Sequence, residues 1–306
     1  MILDYDRLDP ELRAALAQMP ALDITRDNVA MVRAAMAARG AGTAIEVHEE
    51  RRIVTTRDGA VDVILYRKTE RPRQPALLWI HGGGYILGSA ADDRARTIAA
   101  TLDITVCSVD YRLAPEHPFP AGPEDCYAAL GWLVRDAALL GIDPARIAIG
   151  GASAGGGMAA GVALMNRDRD NYPLQLQLLL YPMIDNLHDT ASGQYENHPV
   201  WNQGTSFRAW EMYLNGTPGL DASPYAAATR AADLSGLPPA YVCVGSEDLF
   251  RDEDVAYAHR LLAANVPCEL AVFPGLYHGG DMFVPGAAVS QRLNRSMLAA
   301  LADALR

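Results

Sequence analysis

Downstream of about residue 76 the chain alternates short, mostly apolar runs with longer stretches of helical character. The apolar runs are Ala76–Ile80, Ile104–Val109, Ile147–Ile149, Leu174–Tyr181, Ala240–Gly245 and Cys268–Phe273. Helix-compatible segments lie between most of them, notably Pro123–Leu140, Ala154–Met165, Glu253–Ala264 and Ala287–Leu305. A strand without a polar side must be covered on both faces, and strands joined through helices run parallel. The pattern therefore predicts an α/β fold with a mostly parallel central sheet flanked by helices. Upstream, Ile45–Val47 and Val61–Tyr66 read as strands with no helix between them, which predicts an antiparallel edge.

The N-terminal segment reads as helical. Asp9-Pro10 supplies a cap and a first-turn proline, and Leu12, Leu16 and Met19 follow on one face. A second stretch starts after Thr25, carries Val29, Val32 and Met36 at helical spacing, and stops at Gly40. The interval from Tyr181 to Ala240 is too long for a plain crossover and holds Trp201, Trp210, Met212 and Tyr213, enough apolar bulk to pack as an inserted element. The expected organisation is a helical N-terminal segment over residues 1–44, a catalytic domain over 45–306, and an insertion at about 186–222 that joins the first segment as a cap.

Composition narrows the function classes. Half the residues are hydrophobic, 21% are charged, and the formal net charge is −11. An acidic surface repels phosphate backbones and anionic lipid, so neither nucleic acid nor a membrane is an expected partner. Asp4, Asp6 and Asp9 stand where a secretory leader would carry a basic and then apolar run. The four cysteines show no CxxC spacing, and Cys107 and Cys243 lie in apolar strand runs as buried thiols. A cytoplasmic protein without disulfides, metal or cofactor is expected. Ile147 to Met165 is uncharged and contains a GxxxG pattern, as membrane helices do, but its glycines fit a strand, a tight turn and a buried helix better.

Chemistry concentrates in a few places. Gly151-Ala-Ser153-Ala-Gly155 fits G-x-S-x-G between a strand and a helix-like stretch, the setting of a nucleophile on a sharp turn. His81-Gly-Gly-Gly84 follows the strand Ala76–Ile80, and glycines there let backbone N–H groups approach a substrate oxyanion. Gly83, Gly84 and Ala154 are the expected donors, with Gly82 shaping the turn. A competing reading takes Gly82-x-Gly84-x-x-x-Gly88 as a dinucleotide loop, but Tyr85-Ile-Leu87 does not look like the start of a helix.

A serine nucleophile needs a base, and of the seven histidines His278 stands just after the last strand, beyond Pro274–Tyr277. His48 in an edge strand and His259 in a surface helix read as structural. His188 and His198 fall in the insertion, where solvated positions are expected. The strand Ala240–Gly245 ends in Ser246-Glu-Asp248-Leu-Phe-Arg-Asp252, which makes Asp248 and Asp252 the leading candidates to orient the base, with Glu247 third. Acid and base then both follow the carboxyl ends of strands, where open α/β sheets place their sites.

With these residues in view, the chain resembles the hormone-sensitive lipase family of α/β-hydrolases over nearly its whole length. His81–Tyr85 is similar to the family's oxyanion loop, Asp110–Pro120 to its long signature after the next strand, Asp248–Asp252 to its D-P-L-R-D segment, and Tyr277-His278-Gly279 to its histidine region. The resemblance implies Ser153, Asp248 and His278 as the triad, Gly82, Gly83, Gly84 and Ala154 around the oxyanion, and a helical cap. Tyr85, Trp201, Trp210 and Tyr213 are the candidate substrate-contacting residues. The chain departs at Ala152, where the family usually has Asp or Thr, and at Leu249, where it has proline. Arg112 and Glu116 read either as contacts behind the oxyanion loop or as a plain ion pair.

The expected activity is carboxylesterase action on short- to medium-chain esters through an acyl-enzyme, with a small-molecule ester as partner and a homodimer also open. Amide hydrolysis on the same triad is one alternative. A non-catalytic receptor is another, disfavoured because relatives of that kind lose the histidine.

Overall fold

The computed structural model describes residues 2–19, 23–38 and 45–306. Eight strands form one sheet: β1 (His48–Thr56), β2 (Gly59–Arg67), β3 (Gln74–Ile80), β4 (Thr105–Val109), β5 (Ile142–Ala152), β6 (Gln177–Leu180), β7 (Ala240–Gly245) and β8 (Cys268–Phe273). Their order is β1-β2-β4-β3-β5-β6-β7-β8. From β4 through β8 every pairing is parallel, while β2 is antiparallel to both β1 and β4. Every residue of β3, β4, β6 and β7 is buried, because helices cover both faces.

The helices are α1 (Pro10–Leu16), α2 (Val29–Ala38), α3 (Asp93–Leu102), α4 (Ala121–Arg135), α5 (Ala137–Leu140), α6 (Ala154–Asp168), α7 (Gln203–Leu214), α8 (Arg251–Ala263), α9 (Gly280–Phe283) and α10 (Ala288–Ala304). Asp9 caps α1 by accepting from the Glu11 N–H, and Leu12 and Leu16 are buried as their spacing predicts. Met36 is not: it is 48% exposed, so the α2 stripe is covered only at its start, where Val29 packs. The helix stop expected at Gly40 lies outside the described residues.

Two strand readings are corrected. The first strand begins at His48, not Ile45, and only Val54 of its nine residues is buried. As an edge strand with charges on both faces it shows no apolar run, and those charges discourage further pairing. β6 is shorter than the run Leu174–Tyr181 because ladder pairing with β5 and β7 covers only Gln177 to Leu180.

The insertion folds as irregular chain around α7, with Trp201, Trp210, Met212 and Tyr213 buried. It touches the N-terminal segment: the Leu3 N–H donates to Asn197 Oδ1 at 2.7 Å, and Arg208 on α7 donates to the Ile24 carbonyl at 2.9 Å and pairs with Asp23. Arg33 of α2 reaches the loops after β3 and β4, donating to the carbonyls of Ile86 and Ala114 and to Glu116. Among the described residues no helix is long and apolar enough to cross a membrane.

Candidate active site

β5 ends at Ala152 and α6 begins at Ala154, so Ser153 is the whole turn between them. It adopts φ 57° and ψ −125°, a region that non-glycine residues occupy only when the surroundings enforce it. Those surroundings are backbone hydrogen bonds. The Ser153 N–H donates to the Leu180 carbonyl at 2.9 Å, and its own carbonyl accepts from Gly157 and Met183 at 3.0 Å each. The flanking glycines allow the close approach: a Cβ on Gly151 would overlap Gly155, and one on Gly155 would overlap the Ile80 carbonyl. The GxxxG run further along α6 has the same use, since Cβ atoms on Gly157 and Gly161 would overlap the carbonyls of Met183 and Tyr225.

His278 stands beyond β8 with Nε2 2.9 Å from Ser153 Oγ and Nδ1 2.8 Å from Asp248 Oδ2. A carboxylate only accepts, so Nδ1 carries the proton and Nε2 is left to accept from the serine hydroxyl. Asp248 is fully buried, and its second oxygen accepts from the Phe250 N–H at 3.0 Å. The two rival acids are engaged elsewhere. Asp252 pairs with Arg251 and accepts from the Ser192 N–H, and Glu247 pairs with Arg7 and accepts from Ser246.

The loop after β3 completes the arrangement. Gly82 lies against the turn, where a Cβ would stand 2.8 Å from the Ala152 carbonyl and 3.4 Å from Ser153 Cβ. Gly83 and Gly84 have φ of 114° and 61°, and among the described residues their N–H groups meet no acceptor. The Ala154 N–H is one of the free donors at the start of α6. Four backbone segments thus bring a hydroxyl, an imidazole, a carboxylate and unpaired N–H donors to one place. Such a set can carry out nucleophilic acyl transfer.

Residues 77–282 match a family model for the alpha/beta hydrolase fold. The carboxylesterase NlhH of Mycobacterium tuberculosis is 38% identical over 300 residues, covering 92% of each chain. Among solved structures, a bacterial heroin esterase has a TM-score of 0.93 at 39% identity over 99% of both chains. The esterase LipW of Mycobacterium marinum has a TM-score of 0.90 at 37% identity over 99% of this chain and 98% of its own. The chain belongs to the α/β-hydrolase family. Within it, the chain sits with the hormone-sensitive-lipase-like members.

In this α/β-hydrolase the base is walled by aromatics. Tyr181 and Phe250 meet the His278 ring edge-on at 5.1 and 4.9 Å. Behind Tyr181 lies a buried ion pair: Arg94 of α3 donates to Asp281 Oδ2 at 2.5 Å and to the Tyr181 hydroxyl at 3.1 Å, and that hydroxyl donates to Asp281 Oδ1 at 3.1 Å. Burial opposes the Arg94 charge, but Asp281 more than offsets it and holds the guanidinium protonated. The pair anchors the segment that carries His278. No hydrophobic period announces it, so the sequence pattern did not expose it.

Several expectations change. Tyr85, Trp210 and Tyr213 form one buried cluster, with Tyr85 stacked on Tyr213 at 4.0 Å and its hydroxyl donating to the Met183 carbonyl at 2.6 Å. They bind α7 to the loop after β3. Trp201 differs, since its six-membered ring fills the space a Gly84 side chain would need. His188 and His198 are buried, not solvated. Burial lowers the His198 imidazole to about 4, with Asp248 pulling upward and His278 downward, so it stays neutral beside the triad. Arg112 is a plain ion pair with Asp125, while Glu116 reaches the oxyanion loop only through Arg33.

Proposed function

We infer that this α/β-hydrolase is a carboxylesterase acting on small esters of short or medium acyl chain. The observation that carries the reading is the unbroken hydrogen-bonded run from Ser153 Oγ through His278 to Asp248, set beside N–H donors with no acceptor among the described residues. Similarity to carboxylesterases over most of the chain supports the same substrate class. In the reaction the Ser153 oxygen attacks the ester carbonyl while its proton passes to His278 Nε2. Asp248 keeps the imidazole in the receptive tautomer and stabilises the imidazolium. Gly83, Gly84 and Ala154 hold the oxyanion, each donor contributing on the order of 3 kcal/mol to the transition state. Imidazolium then protonates the departing alcohol, and water repeats the sequence on the acyl-enzyme.

The cap is the N-terminal segment together with the insertion around α7, and Trp201, packed on Gly84, is its closest approach to the donors. The acidic surface and aromatic cap favour soluble esters over lipid droplets. Unpaired Cys107, Cys126, Cys243 and Cys268 support a reducing, cytoplasmic setting. Rates on p-nitrophenyl butyrate and palmitate test the reading. Ser153→Ala is expected to lose at least about 10⁴-fold in kcat, and butyrate to turn over faster than palmitate. Wild-type rates in Ser153→Ala overturn the nucleophile, and faster palmitate hydrolysis overturns the chain length.

A further inference from the structure

A buried polar cluster outside the triad joins the insertion to the loop of the catalytic acid. Glu253, in the first turn of α8, accepts from the N–H groups of Ile184 and Asp185 through Oε1 at 3.2 Å each. Those residues lead from β6 into the insertion. Its Oε2 faces Nδ1 of His188 at 3.6 Å, beyond hydrogen-bond reach, and Nε2 of His188 is 2.8 Å from Ser206 Oγ on α7. The His188 ring lies over Phe250 at 6.0 Å, nearly parallel to it. Phe250 in turn meets His278 edge-on and donates its N–H to Asp248. Contacts therefore run without a break from α7 to the base and the acid.

We propose that His188 and Glu253 are positioning residues, a buried clamp that fixes the seat of α7 over the triad and so sets how tightly an ester is held for attack. The proposal rests on the esterase reading and deepens it. His188 has φ 52°, a conformation a non-glycine residue keeps only when its neighbours impose it. Burial raises the Glu253 carboxyl to about 7, against the downward pull of His188 and the Ile184 N–H and with the upward push of Asp185. A single proton near neutrality thus decides how strongly the carboxylate draws the imidazole and the two N–H groups.

The other ionisable groups around the clamp leave it as the element that switches. Asp185 is paired with Arg230, and burial together with Glu253 and Asp248 pushes the Asp254 carboxyl well above the usual carboxylate range. Tyr85 is held neutral chiefly by burial. Asp248 and His278 bond each other. A separate stitch holds the insertion whatever the clamp does. Ser192 donates its N–H to Asp252 and its hydroxyl to the Leu249 carbonyl, and its oxygen accepts from the Asp252 N–H. Variants of the clamp therefore keep the cap attached while altering its seat.

Steady-state hydrolysis of p-nitrophenyl butyrate from about pH 5 to about pH 9, with thermal melts alongside, tests the clamp in Glu253→Gln, His188→Phe and the milder Ser206→Ala. In the unsubstituted protein KM is expected to change in a step near pH 7, where Glu253 titrates. Glu253→Gln, which keeps an acceptor for the two N–H groups, removes that step. His188→Phe raises KM about fivefold or more while kcat changes less than about twofold, and Ser206→Ala moves KM the same way by less. Melts that fall while KM and its pH profile stay unchanged reduce the pair to ordinary packing and overturn the proposal. If His188→Phe fails to fold, Glu253→Gln and Ser206→Ala decide. The esterase reading is checked separately, by hydrolysis and fluorophosphonate labelling of Ser153 in the unsubstituted protein before any variant is made.

Discussion

On the sheet side of the site, Ser153 and Gly82 are positioned by backbone lying against backbone, whereas on the insertion side His188, Trp201 and α7 are held mostly by side chains, with one main-chain bond from the Phe119 N–H to the Tyr213 carbonyl. Overlap at Gly151 and Gly155 tolerates no added carbon, and three main-chain hydrogen bonds fix the serine turn. The insertion rests on a buried acid, an imidazole, a hydroxyl and stacked rings. A backbone-built wall gives one geometry or none, because carbonyls cannot yield as rotamers do. A wall built from side chains yields by degrees and responds to protons. In the proposed function the chemical step draws on the first wall, and in the proposed clamp the grip on substrate draws on the second.

The largest effect that sharpens this contrast is expected from Asp248→Asn. The amide no longer fixes the Nδ1 proton of His278, so kcat falls about 10³- to 10⁴-fold with the fold retained, as turnover and melting together will read. A normal kcat would mean that Asp248 does not govern the tautomer. Next comes Gly155→Ala, which forces a carbon into the Ile80 carbonyl. It is expected to cost about 3 kcal/mol or more in chemical denaturation. An unchanged midpoint would break the claim of a backbone-built wall. The smallest effect concerns Glu253. Its folded carboxyl, raised to about 7, lies above the 4.5 of an exposed Glu, so between these values the folded protein binds more protons than the unfolded one. Its contribution to stability is complete below the lower value and is lost as pH rises through the upper. Glu253→Gln should flatten that part of the stability profile measured by denaturation. A profile that keeps its slope would locate the titrating group elsewhere.

The sheet and the triad were legible because each leaves a local mark. Wholly apolar runs announce β3, β4 and β7, and Ser153, Asp248 and His278 each stand beside a strand end with glycine or a turn nearby. The acid was narrowed by resemblance before geometry separated it from Asp252, whose oxygens serve Arg251 and Ser192. What escaped was set by distant contacts. His188 and His198 read as solvated because nothing in their neighbours foretells that the first is buried by α7 and Phe250 and the second packs on Tyr277. That Tyr85 and Tyr213 stack escaped likewise, because a sequence cannot say which two aromatics meet. The edge strand β1 was misplaced because charged residues on both faces erase the apolar signal.

The Met183 N–H closes on the Ser153 carbonyl before the chain departs for the insertion. The turn that presents the hydroxyl is thus complete without anything contributed by residues 186–222. That segment can lengthen, shorten or exchange its aromatics over generations with the reactive oxygen left where it was. New substrate preferences can then arise by editing a module grafted onto an unchanging chemical core.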